Sequence, residues 1–291
     1  MKGVIYLSLC EKCIICASDD HVLGQTVLVF KGKLAHDEGL KISKSLCGDA
    51  VALVIDVLCG YSLDSVGNAC DIGTTDGGAV SIRSNCKATF TDTVFKNNSA
   101  NGTSFDQGGG AIYVGWGTLN LNNVTMTGNS TTGGFGGAVN ANSATLKVNG
   151  STFESNKATY GGALTVSGTG SFQIDNSTFK QNSANDGGAV YAYGATLTVT
   201  GANTLFSENS AGRGGAIYLV LKDSTAASMT MTGGKFENNT STTDGGALSL
   251  RSYASATFTD TVFKGNSVNG AANSAFYMHS TAKLNGATQA E

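Results

Sequence analysis

The 291-residue chain contains no proline. Proline removes a backbone donor and survives in sheets only at edges and bulges, so its absence suits a fold in which nearly every N–H serves a neighbouring strand. Charge is scarce as well, with Asp, Glu, Lys and Arg making up 13% of residues and a net charge of −3. Residues 1–71 hold nine acids against six bases, and the remainder holds twelve of each. No basic surface for nucleic acid or an anionic membrane is indicated. Long apolar runs are missing too. The longest, 50–59, contains Asp56 and falls far short of the roughly 20 residues a spanning helix needs, so no transmembrane helix is expected.

Cysteine is present but confined. Six of the seven (Cys10, Cys13, Cys16, Cys47, Cys59, Cys70) lie within residues 1–71. The Cys10-x-x-Cys13-x-x-Cys16 run has metal-like spacing, yet it lacks a second cysteine pair or a histidine pair, and Glu11-Lys12 interrupts it. Disulfides or inert thiols are the better reading, and an odd total leaves at least one unpaired. The first residues have the charge-then-apolar order of a secretory leader, but Glu11 and Lys12 end the run early.

What the chain does have is repetition. A Gly-Gly-Ala triplet recurs with its alanine at Ala79, Ala111, Ala138, Ala163, Ala189, Ala216 and Ala247. Those positions span 168 residues in six steps, a mean period of 28. Each triplet is answered by an aromatic or Met residue with Asn three later: Phe95/Asn98, Met126/Asn129, Phe153/Asn156, Phe179/Asn182, Phe206/Asn209, Phe236/Asn239 and Phe263/Asn266. A fixed period of this size marks a solenoid, whose units bury their apolar faces only by stacking.

After each triplet, apolar and polar residues alternate, as in Val190-Tyr191-Ala192 and Ile217-Tyr218-Leu219. A second alternating run follows, as in Leu197/Val199 and Met229/Met231, and period two means strand. Three residues before the Phe stands a turn-former: Asp92, Asn123, Gly150, Asn176, Asn203, Gly233 or Asp260. Strand, strand, turn and strand, repeated in one direction, predict an all-β, right-handed parallel β-helix of about seven or eight coils. The Phe column would stack inside the coil, and each Asn amide would pair with the next coil's amide. Residues 1–73 are expected to cap the first coil, 74–283 to form the helix and 284–291 a tail. Step lengths vary, so insertions are expected to bulge from corners near 103–108 and 222–226. Residues 88–96 and 256–264 carry the same nine-residue text, Ala-Thr-Phe-Thr-Asp-Thr-Val-Phe-Lys.

The paired motifs resemble the polymorphic outer membrane protein repeats of chlamydial surface proteins, over about 75–283. The resemblance implies a β-helical passenger, exported and displayed at a cell surface, which adheres to a protein or glycan of a host or neighbouring cell. The family's C-terminal translocating barrel is not in this stretch, so a barrel or anchor beyond residue 291 is expected. Neither metal nor cofactor is required by these motifs.

Three functional readings follow. The outward positions of the first strand hold Tyr113, Tyr191, Tyr218 and Tyr277, with Tyr193 and Trp116 beside them, and solvent-facing aromatics on a rigid sheet suit recognition. A polysaccharide-acting enzyme is the alternative, since such sites gather carboxylates with a basic residue. Here Asp76, Asp186 and Asp244 precede the Gly-Gly pair without falling in adjacent coils, and the same place holds Gly108, Phe135, Tyr160 and Arg213; Asp92 and Asp260 read as turn residues. An ice-binding surface is the third. The second strand's outward columns read Thr89, Asn120, Lys147, Gln173, Thr200, Thr230, Thr257 and Lys87, Thr118, Thr145, Ser171, Thr198, Ser228, Ser255, a Thr/Ser face that Lys147 and Gln173 interrupt.

Overall fold

A computed structural model of the chain describes residues 75–286 except 84, 85, 273 and 282. It also gives the backbone of strands at Val4–Leu7, Thr26–Phe30, Leu40–Ile42, Val51–Val57, Ser62–Ser65, Asn68–Ala69, Ile72–Thr74 and Thr288–Gln289. Every regular element among the described residues is a strand. The coil that opens at Gly187 is typical: a first strand Val190–Tyr193, a second Thr196–Thr200, a third Leu205–Ser207 and a fourth Ser210–Arg213. Equivalent strands of successive coils pair in parallel, which builds sheets of 11, 10 and 9 strands for the first three positions. The chain is therefore a parallel β-solenoid.

The fourth strand departs from the three read in the sequence. It forms a sheet of five strands and another of three, joined through bridges at Lys157. Its residues are short and small, as in Ser183–Asp186 and Ser210–Arg213, so they carry no apolar alternation to announce it. Parallel pairing also runs ahead of the first triplet. Val51–Val57, Ser62–Ser65, Asn68–Ala69 and Ile72–Thr74 pair with the four strands of the next coil. The cysteines of residues 1–71, their expected disulfide or thiol state and the expected capping role lie outside the described residues. Cys86, the seventh, is buried. Its carbonyl occupies the hydrogen-bonding place that Gly117, Ala144, Ala195 and Ala227 fill in later coils, which makes it a small core residue.

Inside the coil, Val190, Ala192, Leu197, Val199 and Phe206 of a single repeat are fully buried, each large apolar side chain worth about 1.5–3 kcal/mol. Phe153, Phe179, Phe206, Phe236 and Phe263 are register partners in turn. Their rings stack at 4.6, 4.9, 4.8 and 4.7 Å with interplanar angles of 14° or less. Met126 takes this place between Phe95 and Phe153. The duplicated nine-residue segments fold alike: Phe90 meets Phe95, and Phe258 meets Phe263, edge to face at 5.0 Å.

Beside the rings runs a ladder of buried amides. Asn98, Asn129, Asn156, Asn182, Asn209 and Asn239 each donate Nδ2 to the Oδ1 of the next Asn, ending at Asn266, over 2.8–3.0 Å. Each Oδ1 also accepts the backbone N–H of the preceding coil's Asn. From Asn129 to Asn239, each Nδ2 makes a second bond to the carbonyl of the preceding coil's Phe or Met, and Asn266 Nδ2 binds the Phe236 carbonyl in the same way. Amides with no solvent contact are thus supplied with partners by their own repeats.

The three-residue spacing follows from the turn geometry. Phe179 points in, Lys180 points out, Gln181 takes φ 55°, and Asn182 points in again. The same place holds positive φ at Asn97, Gly128, Ser155, Glu208, Asn238 and Gly265. Side chains rarely accept that conformation; here each such N–H from Asn97 to Asn238 is used by the next coil, as Gln181 N–H is by Ser207 C=O at 3.1 Å. The turn column before the Phe is also left-handed at Asp92, Asn123, Gly150, Asn176, Gly233 and Asp260. In the Gly187 coil, Gly201 rather than Asn203 carries the positive φ.

The two glycines of the triplet serve different ends. Gly187 sits at φ +66°, whereas a Cβ on Gly188 would lie 2.1 Å from the Gly215 carbonyl oxygen of the next coil. Only a residue without Cβ lets neighbouring coils approach so closely at the corner.

Two sets of substitutions test this packing by urea unfolding. Asn182→Ala removes four of these bonds and is expected to cost about 2–4 kcal/mol, whereas Asn203→Ala, at an exposed turn, should cost under about 0.5 kcal/mol. Equal costs would contradict the ladder. Gly188→Ala meets backbone that cannot yield and should cost about 3 kcal/mol. Gly150→Ala, with φ +58° but nothing within 4 Å of the added Cβ, should cost only about 1 kcal/mol.

Candidate functional site

The outward side chains of the first strand stand in two columns. One reads Tyr113, Asn140, Thr165, Tyr191, Tyr218, Ser249, Tyr277, and the other Gly115, Asn142, Ser167, Tyr193, Val220. The expected solvent exposure does not hold for the main tyrosines. Tyr113 is 0%, Tyr191 6% and Tyr218 4% exposed, whereas Tyr193 and Tyr277 are half-buried and Trp116 is 52% exposed. The cause lies in the residues just before the Gly-Gly pair and in the insertion at 103–108, which lie across this face. Phe135 stacks on Tyr160 at 4.7 Å, Tyr160 leans on Tyr191 at 5.2 Å, and Tyr191 stacks on Tyr218 at 5.5 Å. Phe105, Phe135, Tyr160, Tyr193 and Val220 close this second apolar cluster, outside the coil's core.

The insertion at 103–108 does not bulge outward. Phe105 lies back against Phe135 and Tyr193. The one at 222–226 is a tight turn closed by mutual Lys222–Thr225 backbone bonds, and its Lys222 Nζ sits 5.7 Å from the Tyr193 ring centre.

The three arginines of the repeat region converge on the same face. Arg83 pairs with Asp76 and lies 4.2 Å over the Tyr113 ring. Arg213 grips Asp186 with two bonds of 2.6 and 2.5 Å and covers Tyr218. Arg251 binds Asp244 at 2.6 Å, donates to the Tyr218 hydroxyl at 3.1 Å and lies 4.5 Å over Tyr277. Asp186, Arg213 and Asp244 are register neighbours in three successive coils. The result is a strip of alternating carboxylate, guanidinium and ring, in which each charge meets its opposite and each guanidinium lies on a π-face. Asp186 holds the Arg213 guanidinium even more firmly protonated than usual. Burial pushes the hydroxyls of Tyr113, Tyr191 and Tyr218 above their ordinary 10.0.

Trp116 and Tyr253 take positive φ at the corner between first and second strands, with their rings in solvent. In the Trp116 column later coils use Ser143, Gly168 and Gly194. Sequence reasoning missed Tyr253, Phe105, Phe135 and Tyr160 as members of this surface. Phe135 and Tyr160 were visible only as odd occupants of the place before Gly-Gly.

The second strand's outer face needs one correction. Its register pairs Gln173 with Thr198 and Thr198 with Thr230, so Thr198 belongs to the column given above to Thr200, and Thr196 takes the neighbouring place. The two extra residues at Gly201 and Ala202 displaced the count. Among the described residues, no group of three His, Cys, Asp or Glu side chains is placed to hold a metal ion, and no helix is long and apolar enough to cross a membrane.

Architecture and motif together define a class: a parallel β-solenoid whose coils are locked by Phe and Asn columns. The right-handed beta helix region model matches residues 64–227, more than half of the chain, and the chain belongs to that family. The Chlamydia polymorphic membrane protein repeat matches residues 234–251. That stretch runs from the Phe236 strand through Asn239 and the fourth strand to the Gly245-Gly246 corner and Arg251, which supports the kinship read from the motifs. No curated protein and no solved structure matches the chain.

The buried tyrosines make stability fall at alkaline pH. An unfolded chain ionises them near 10, while the folded chain holds them neutral, so their contribution is present below pH 10 and is lost as pH rises above it. Urea midpoints are expected to drop steadily above pH 10, and Tyr191→Phe should flatten the drop. An unchanged slope in Tyr191→Phe would show that this hydroxyl is not masked.

Proposed function

We propose that the chain is a non-enzymatic, secreted or surface-displayed β-helix that adheres to a protein or glycan of a host or neighbouring cell, outer-membrane-associated in a bacterium. The observation that carries this reading is the rim of the first-strand sheet's outer face, where Trp116 and Tyr253 stand in solvent and Tyr193 and Tyr277 are half-exposed on a rigid aromatic base. Tyrosine, tryptophan and arginine on a stiff support give contact area at small entropic cost. The match to the chlamydial membrane-protein repeat supports display at a surface, and the extended rod suits presentation away from it.

A polysaccharide-acting β-helix enzyme is the second reading, and one observation favours it: Asp186 and Asp244 lie on either side of Arg213. Against it, both carboxylates are buried and each is held by an arginine, whereas a general acid or base must reach its substrate.

Beads coated with the purified chain are expected to bind cultured animal cells. Trp116→Ala combined with Tyr277→Ala should lower that binding about tenfold. Incubation with a panel of acidic and neutral polysaccharides should leave their chain lengths unchanged. Binding no better than that of bare beads would sink the adhesive reading, and polysaccharide shortening lost in Asp186→Asn would install the enzyme instead.

A further inference from the structure

Between Tyr113 and Tyr191 the outer columns hold only small polar residues, Asn140, Asn142, Thr165 and Ser167, all buried. The segment 103–108 lies over this hollow. Its Phe105 ring packs 4.0 Å from Phe135, tilted by 33°, and 4.4 Å from Tyr193, within 13° of parallel. Asn140 Nδ2 donates to the carbonyls of Phe105 at 3.1 Å and Gln107 at 2.6 Å. Asn140 Oδ1, in a residue with no solvent exposure, has no partner.

We propose that residues 103–107 are a displaceable strap, and that the slot beneath binds an extended peptide of a partner protein through an aromatic side chain. What the slot recognises in its own strap is one ring and two peptide carbonyls, and the vacant acceptor on Asn140 matches a peptide N–H. That set describes an extended peptide with an aromatic residue. The strap itself is lightly held. Residues 101–107 join no sheet. Gly108 is the fixed end, bonded to Thr75 C=O at 2.8 Å and to Gly77 N–H at 2.7 Å. Beyond the Asn140 bonds, residues 103–107 have a Gln107–Ser104 turn of 3.0 Å, a Ser104–Asp106 side-chain bond and a 3.5 Å bond from Arg83 to the Asp106 carbonyl. Thr103, Ser104 and Asp106 are exposed. Opening it therefore breaks few bonds and leaves the coils intact. The proposal rests on the outer face being the adhesive one and assigns its partner as protein.

The probe is a synthetic peptide with the sequence of residues 101–109, beside a copy with Ala in place of Phe. Both are titrated against the full wild-type chain, Phe105→Ala, and Phe105→Ala with Tyr193→Ala, each checked for its β-sheet circular dichroism. Emptying the slot removes the competing occupant, so Phe105→Ala is expected to bind the Phe peptide about tenfold more tightly than wild type. The Ala peptide should bind neither, and the double variant should lose the gain. A chain with residues 103–107 replaced by glycine and serine serves as an independent opened form and should behave as Phe105→Ala does. Equal affinity in wild type and both opened forms, or no binding to either opened form, overturns the proposal. So does binding of oligosaccharides in place of the peptide. Peptide binding without cell adhesion would leave the slot standing and remove the adhesive reading; adhesion without peptide binding would do the reverse.

Discussion

The fold depends on one requirement: a buried amide must find a partner in the coil above and in the coil below. An asparagine without hydrogen bonds in this interior would cost about 1–3 kcal/mol for each orphaned group. Here Oδ1 of each inner rung takes two donors and Nδ2 serves two acceptors. The demand holds only if coils superpose in register, so the ladder specifies the stack as well as stabilising it. The Phe column adds the same instruction in apolar form, since rings 4.6–4.9 Å apart are one strand spacing apart. Together they explain why a chain of low charge and many glycines settles into one arrangement of near-identical repeats.

Outside the coil no such demand exists, and there the repeats differ. The places before Gly-Gly carry aspartate, arginine, phenylalanine or tyrosine, and the loop lengths vary. Those differences create the molecule's individual surface, the aromatic cluster flanked by Asp–Arg pairs. An invariant interior and a variable exterior are complementary. The exterior can vary because the backbone ladders and the Asn column, which hold the coils in register, do not depend on the outward side chains.

What could be read from the sequence divides along the same line. The Phe and Asn columns, the triplets and the first two strands were legible because each repeats with fixed spacing and its chemistry has one economical explanation. The fourth strand was not, because Ser, Ala and Thr in two to five residues carry no alternation. Coil five was misaligned at Thr198 and Thr200, since counting back from the Phe assumes a turn of constant length and Gly201-Ala202 breaks it. The burial of Tyr113, Tyr191 and Tyr218 was hidden for a different reason. Position on a strand says which way a side chain points, but what covers it depends on Arg83 over Tyr113, on Phe135 and Tyr160 beside Tyr191, and on Arg213 over Tyr218, which belong to the irregular part of each repeat.

The most direct measurement of the central claim is hydrogen exchange of the asparagine side-chain amides, followed by NMR in the native protein. If the ladder locks the stack, the Nδ2 protons of Asn156, Asn182 and Asn209 exchange only through large-scale unfolding, orders of magnitude more slowly than those of exposed Asn101 and Asn203. Exchange of the ladder amides at the rate of the exposed ones would contradict it.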